Sequence, residues 1–174
     1  MTMTDRQDLD DFYNLAYQEL RRLAAAVLRG DRASTLSPTT LVNEAWLKLA
    51  GSQRLTVNSR LHFKRIAARA MRQVLVEAAR RRQAAKRGSG LALVTFDDNI
   101  DAAETTPGAV LALDSALDEL ARLHPRQAET VECRFFAGLN VPETAEVLGV
   151  SEATVQRDWR AARAWLAVEL RQTG

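Results

Sequence analysis

The sequence predicts an all-α protein of two small helical domains joined by a flexible linker, and three observations carry that expectation. Apolar residues recur at three- and four-residue steps through most of the 174 residues. Ala, Leu, Glu and Arg are abundant, whereas Gly and Pro, which interrupt helices, total only twelve. Between residues 86 and 109 the helical period is lost in Gly88-Ser89-Gly90, a short apolar piece Leu91 to Val94, and a run of Asp, Asn, Thr and Pro.

The elements follow in order. Leu9, Phe12, Tyr13, Ala16, Leu20, Leu23, Ala24 and Val27 make one apolar stripe, which predicts a helix over about 5–29 with Gly30 as its stop. Ser37-Pro38 reads as N-cap and first helical position of a second helix, with Leu41, Val42, Ala45, Trp46 and Leu49 on one face and Gly51 at its end. A third helix is expected over about 59–82. Its apolar side is Phe63, Ile66, Ala67, Ala70, Met71, Val74, Leu75 and Ala78, and its bases are expected on the opposite side. After the linker, Leu111, Ala112, Ser115, Leu117, Leu120 and Leu123 begin a second helical unit. Pro125 breaks it before a helix over 126–136, and Gly138 punctuates again.

Charge is distributed unevenly although the net value is only +2. Residues 60–87 carry ten Lys or Arg against the single acid Glu77, a profile suited to a polyanion. Residues 88–121 carry seven acids and no base, so a basic element and an acidic one lie side by side in the chain.

Residues 141–160 have the layout of a helix-turn-helix. Small Ala145 lets two helices approach, Leu148 and Val150 fill the space between them, Gly149 permits the positive backbone angle of the tight turn, and Ser151 caps the second helix. Val155, Trp159 and Ala162 are expected to face inward. Glu152, Ala153, Thr154, Gln156, Arg157 and Arg160 are then free to face a major groove. A plain helical hairpin is the alternative for this pattern, but Arg157, Arg160 and Arg163 follow the turn and a still more basic helix lies upstream.

On these motifs the chain resembles the extracytoplasmic-function (ECF) sigma factors of bacteria along nearly its whole length. The C-terminal run Leu123-His124-Pro125-Arg126-Gln127-Ala128, then Val131 to Leu139, Pro142 to Ala145 and Ser151 to Val155, is similar to that family's upstream promoter-binding domain. Leu41 to Leu49 resembles the helix that docks on the polymerase clamp, and Phe63 to Gln73 with Glu77 to Arg81 resembles the helix that reads and melts the minus-10 element.

The resemblance implies an N-terminal domain (1–85) that grips core polymerase and holds the minus-10 region, an acidic linker (86–109) that threads polymerase, and a C-terminal winged-helix-like four-helix domain (110–174) that reads the minus-35 element. It implies polymerase docking by Thr39, Thr40, Asn43, Glu44, Trp46 and Leu47, and minus-10 contacts by Arg60, Lys64, Arg65, Arg69, Arg72 and Gln73. For any one of those bases a solvated helix face is the competing reading, and for the linker a flexible spacer is. The implied partners are core RNA polymerase, at its clamp and flap, and promoter DNA. A Ser/Thr kinase or an inhibitor protein is left open as a controlling partner.

Two positions depart from the family pattern. The docking helix there usually begins with acids, whereas this chain has Ser37-Pro38-Thr39-Thr40, and a phosphate on Thr39 or Thr40 would restore the negative charge at a helix N-terminus. The competing reading gives both threonines a capping or neutral role. Asp158 stands where related factors often carry a base.

Other classes fit poorly. The polar N-terminus and the lack of an eighteen-residue apolar run argue against a signal peptide or membrane span, so a cytoplasmic location is expected. Cys133, His62 and His124 make no disulfide frame or zinc spacing, and Cys133 reads as core. No Gly-rich phosphate loop or nucleophile beside a base is present, so neither catalysis nor a cofactor is expected, and Glu44 and Glu77 read as surface or docking carboxylates. The alternative function is a DNA-binding regulator that acts without polymerase.

Overall fold

The computed structural model describes residues 3–28, 36–52, 57–85 and 107–172, and no strand occurs among them. In chain order the helices are α1 (Met3–Val27), α2 (Pro38–Ala50), α3 (Arg60–Ala85), α4 (Pro107–Leu123), α5 (Pro125–Val131), α6 (Val141–Leu148) and α7 (Glu152–Gln172). The all-α expectation is met. Gly30 and most of the expected linker, residues 86–106, lie outside the described residues, and Pro107 to Ala109 already form the first turn of α4.

Helices α1, α2 and α3 close one core because each carries an apolar stripe too wide for a single neighbour. Leu20 of α1, Leu41 and Val42 of α2, and Phe63 and Val74 of α3 are fully buried. Removing the Phe63 ring would cost about 3–5 kcal/mol, the usual range for deleting a core aromatic. Aromatic pairs join the helices: Phe12 stacks on Phe63 with ring centroids 6.2 Å apart, and Tyr13 lies 4.5 Å from Trp46. Burial and the neighbouring Tyr17 push the Tyr13 phenol above its ordinary pKa.

Helix α2 is bounded as its sequence implies. The Ser37 hydroxyl accepts from Thr40 N at 3.0 Å, Pro38 opens the helix, and Gly51 N–H closes it on Leu47 O.

Helix α3 differs from the one-sided helix that its main stripe implies. Besides that stripe, Ala68, Val76 and Ala79 are buried, and with Arg72 they form a second face turned toward α4 and the chain that follows. The bases therefore do not all lie on a solvent side. The side chain of Lys64 is buried and Arg65 and Arg72 are half-buried.

The second set of helices buries Leu117 and Leu120 of α4, Val131 of α5, and Val155 and Leu166 of α7, and this core is continuous with the first. The chain expected as one helix over 126–136 instead widens after α5 into a π-helical segment, Glu132–Phe136, with Ala137 N donating to Glu132 O at 3.0 Å. Cys133 is completely buried there, and desolvation pushes its thiol pKa up to about 12. Gly138 then turns the chain at φ +63°, and a Cβ at this position would come within 2.6 Å of Leu23 on α1. Glycine is needed here for both its backbone angle and its lack of side chain.

Candidate nucleic-acid interface

Helices α6 and α7 form the helix-turn-helix, and each end is fixed by local chemistry. A capping box opens α6: Glu143 N donates to Asn140 Oδ1 and Asn140 N donates to Glu143 Oε2, both at 2.8 Å. Gly149 ends it at φ +64°, and Val150 N closes onto Ala145 O at 3.1 Å, which satisfies a carbonyl the helix end would otherwise leave open. Ser151 Oγ accepts from Thr154 N at 3.2 Å at the start of α7, where Glu152 also suits the positive helix end.

This geometry separates the faces of α7. Val155 and Ala162 are fully buried and Trp159 is half-buried, while Glu152, Ala153, Gln156, Arg157 and Arg160 are exposed together. Thr154 is half-buried, and its hydroxyl shares a 2.9 Å hydrogen bond with Ser151. Trp159 is flanked by cations: the guanidinium carbons of Arg134 and Arg163 lie 5.3 and 5.9 Å from its ring centroid.

Asp158 points away from the exposed residues. It is 4% exposed and receives Arg126 Nε at 2.5 Å, a contact that ties α7 to the start of α5. This pair raises the Arg126 pKa through the hydrogen bond and the charge of Asp158. The acid that departs from the family pattern is thus an internal brace.

The bases of α3 differ in what they meet. Arg60 and Lys64 both pair with Glu19 of α1, Lys64 Nζ at 2.8 Å from Glu19 Oε2. The hydrogen bond from Lys64 holds the Glu19 carboxyl below its ordinary pKa. Arg65 Nη2 reaches Glu129 Oε1 on α5 at 2.7 Å. Arg72, 13% exposed, is gripped by three carboxylates: Asp114 at 2.7 Å, Asp118 at 2.8 Å and Glu132 at 3.2 Å, with Asp114 O accepting a further hydrogen bond. Arg69 and Gln73 stay exposed and line a polar cleft of about 430 Å³ between α3 and α4, together with Arg72, Arg80, Asp114 and Asp118.

The six docking candidates on α2 are not equivalent. Leu47 is 68% exposed, the most exposed of the large apolar side chains among the described residues. Asn43 is exposed and accepts a 2.8 Å hydrogen bond from Tyr13 Oη, Trp46 packs on Tyr13, and Glu44 and Thr39 are half-buried. Thr40 shares a 2.8 Å hydroxyl hydrogen bond with Ser37.

Sequence reasoning missed the acids that face these bases: Glu19, Asp114, Asp118, Glu129 and Glu132. The adjacent basic and acidic runs signalled part of this arrangement, but not which residues pair. Among the described residues, no group of three or more His, Cys, Asp or Glu is placed to hold a metal, and no helix is long and apolar enough to cross a membrane.

Comparison with known proteins adds a family to this geometry. The ECF RNA polymerase sigma factor BldN of Streptomyces coelicolor is 46% identical to the chain over 48 residues, which is 27% of this chain and 18% of that relative. The matched segment therefore spans about a fifth of the relative's length. No solved structure matches. The model of the ECF sigma factor family matches residues 2–172, and the chain belongs to that family.

Proposed function

We propose that this protein binds core RNA polymerase and directs it to promoters, having no catalytic chemistry of its own. The observation that carries the reading is α7, capped at Ser151 and braced at Asp158 so that Gln156, Arg157 and Arg160 stand exposed on one helix of a helix-turn-helix. Family membership supplies the polymerase part of the reading.

In this account residues 1–85 form the polymerase- and minus-10-binding domain, 86–109 the acidic linker, and 110–174 the minus-35-binding domain. Gln156 and Thr154 approach base edges, Arg157 and Arg160 approach phosphates or guanines, and Glu152 and Ala153 line the groove. Arg60, Lys64, Arg65, Arg69, Arg72 and Gln73 contact the minus-10 strand. Thr39, Thr40, Asn43, Glu44, Trp46 and Leu47 form the clamp-docking face, with exposed Leu47 as its apolar anchor. The work is cytoplasmic, since the partners are polymerase and the genome.

Control by phosphorylation at Thr39 or Thr40 belongs to the same proposal. The first turn of α2 holds no acid, and a phosphate there would gain from the helix dipole. Thr39→Glu with Thr40→Glu should then raise affinity for core polymerase, and full activity of the unmodified protein with no gain from the double variant would rule it out.

The reading is tested by gel filtration of the full chain with bacterial core polymerase, followed by footprinting of the complex on promoter DNA. Co-elution with protection at two motifs of fixed spacing is expected. Tight site-specific binding by the free chain, with no polymerase complex, would favour the autonomous regulator instead.

A further inference from the structure

We infer that Glu152 sets one position of the upstream promoter motif, its carboxylate accepting a hydrogen bond from the exocyclic amino group of a cytosine in the major groove. The inference rests on the proposal that α7 reads that motif.

A charge out of place leads to it. Residues 152–160 hold two acids, Glu152 and Asp158. Asp158 is buried against Arg126, so Glu152 is the one carboxylate left on the outward face of these turns, beside exposed Ala153, Gln156, Arg157 and Arg160. It makes no ion pair among the described residues. A face that meets a polyanion gains from its bases and loses by an acid, unless a donor on the nucleic acid answers that acid. Phosphates offer no donor, whereas base edges in the major groove do.

Position brings the carboxylate to the bases. Glu152 opens α7 directly after the turn, and the first residues of a recognition helix are those that reach base edges. Gly149 at φ +64° and the hydrogen bond from Thr154 N to Ser151 Oγ at 3.2 Å hold this first turn in one orientation. Ala153 carries only a methyl, so no bulky neighbour props the helix away from the groove. The positive end of α7 offsets part of the cost of bringing a carboxylate close to DNA.

Chemistry then chooses the base. An ionised carboxylate can only accept. Guanine shows two acceptors in the major groove and thymine an acceptor and a methyl, so neither answers it. Adenine sets its N7 acceptor beside its amino group, whereas cytosine shows the N4 amino group alone. Other bases are rejected by repulsion as well as by the missing bond. Gln156 lies one turn further on, about 6 Å along the axis and hence about two base-pair steps away, where its amide suits adenine. Arg157 and Arg160 on the same face hold the frame through phosphates.

The experiment is run-off transcription by bacterial core polymerase with the full chain on a promoter library randomised in its upstream part. The transcribed templates are sequenced for the parent, Glu152→Ala and Glu152→Gln. The parent is expected to select a G·C pair over A·T by about tenfold at one position, the usual scale for a single mismatched pair. Glu152→Ala should flatten that position and leave the others within about twofold. Glu152→Gln, of the same shape but able to donate as well as accept, should move it toward A·T. A carboxylate that serves only the helix dipole would lower the melting temperature of Glu152→Ala and leave the base profile intact, which would overturn the inference. A Glu152-dependent position at which the parent prefers A·T would overturn it too, as would loss of preference across the whole motif, the mark of a reseated helix. Should even the parent give no transcript, the polymerase reading fails, and the same library is selected by retention on the chain alone. A G·C preference there that Glu152→Ala removes upholds the inference, and identical profiles for parent and variant end it.

Discussion

Arg126 and Asp158, 32 positions apart, meet at 2.5 Å between the first turn of α5 and the inner side of α7. The carboxylate is buried and the guanidinium half-exposed, so the pair fixes how the recognition helix sits on its support. Asp158→Ala should lower the melting temperature by several degrees while the preferred minus-35 sequence stays the same. A shift in sequence preference without loss of stability would place Asp158 at the DNA instead.

Gly138 and Gly149 share nearly the same backbone angle but not the same surroundings. Alanine at either position meets the left-handed strain of about 1–2 kcal/mol, and at Gly138 the new methyl also presses on Leu23. Urea denaturation should therefore find Gly138→Ala more costly than Gly149→Ala, where the added methyl would meet no other part of the fold within 4 Å. Equal costs would mean that Leu23 yields freely.

Cys133 should be inert in the native protein. With its pKa pushed up to about 12 by burial, it carries almost no thiolate at pH 8 and is out of reach of reagents. Reaction with a disulfide dye such as DTNB is expected only as the chain unfolds in urea, and rapid labelling without denaturant would contradict the buried position.

Glu19 makes stability depend on pH in one direction. Its folded pKa lies below the unfolded value, so its contribution is complete above the ordinary carboxylate range and is lost as pH falls through the folded pKa. Glu19→Gln leaves Lys64 buried without its partner and should cost about 1 kcal/mol at pH 7, after allowance for solvent screening at the half-exposed carboxylate. The difference between parent and variant should shrink toward zero in acid, and a constant difference from pH 7 to pH 3 would show that the pair is not its source.

The local elements were legible because their signals are local. Ser37-Pro38 and Gly51 bound α2 within the residues that form it, and Gly149 and Ser151 mark the turn of the helix-turn-helix. The second face of α3 was not legible, since Ala68, Val76 and Ala79 are small, interleaved with Arg72, and on a helix covered from two sides leave no single apolar arc. The π-helical segment escaped for a related reason: a shift from four- to five-residue hydrogen bonds leaves no mark in the apolar spacing of 126–136. Charge pairing was the least legible of all. Arg72 and Asp114 are 42 residues apart and Arg65 and Glu129 are 64 apart, and no period links them. The brace role of Asp158 was hidden for the same reason, its partner Arg126 being 32 positions away in the chain.

Run-off transcription from a library of promoter fragments, with bacterial core polymerase in the presence and absence of this protein, tests the central claim most directly. The account predicts protein-dependent transcripts that start at a fixed spacing from shared upstream and downstream motifs, with Gln156→Ala relaxing preference within the upstream motif and Arg157→Ala weakening use of all promoters alike. No protein-dependent transcript from the native chain or from the Thr39→Glu, Thr40→Glu variant, alongside tight DNA binding by the chain alone, would contradict it.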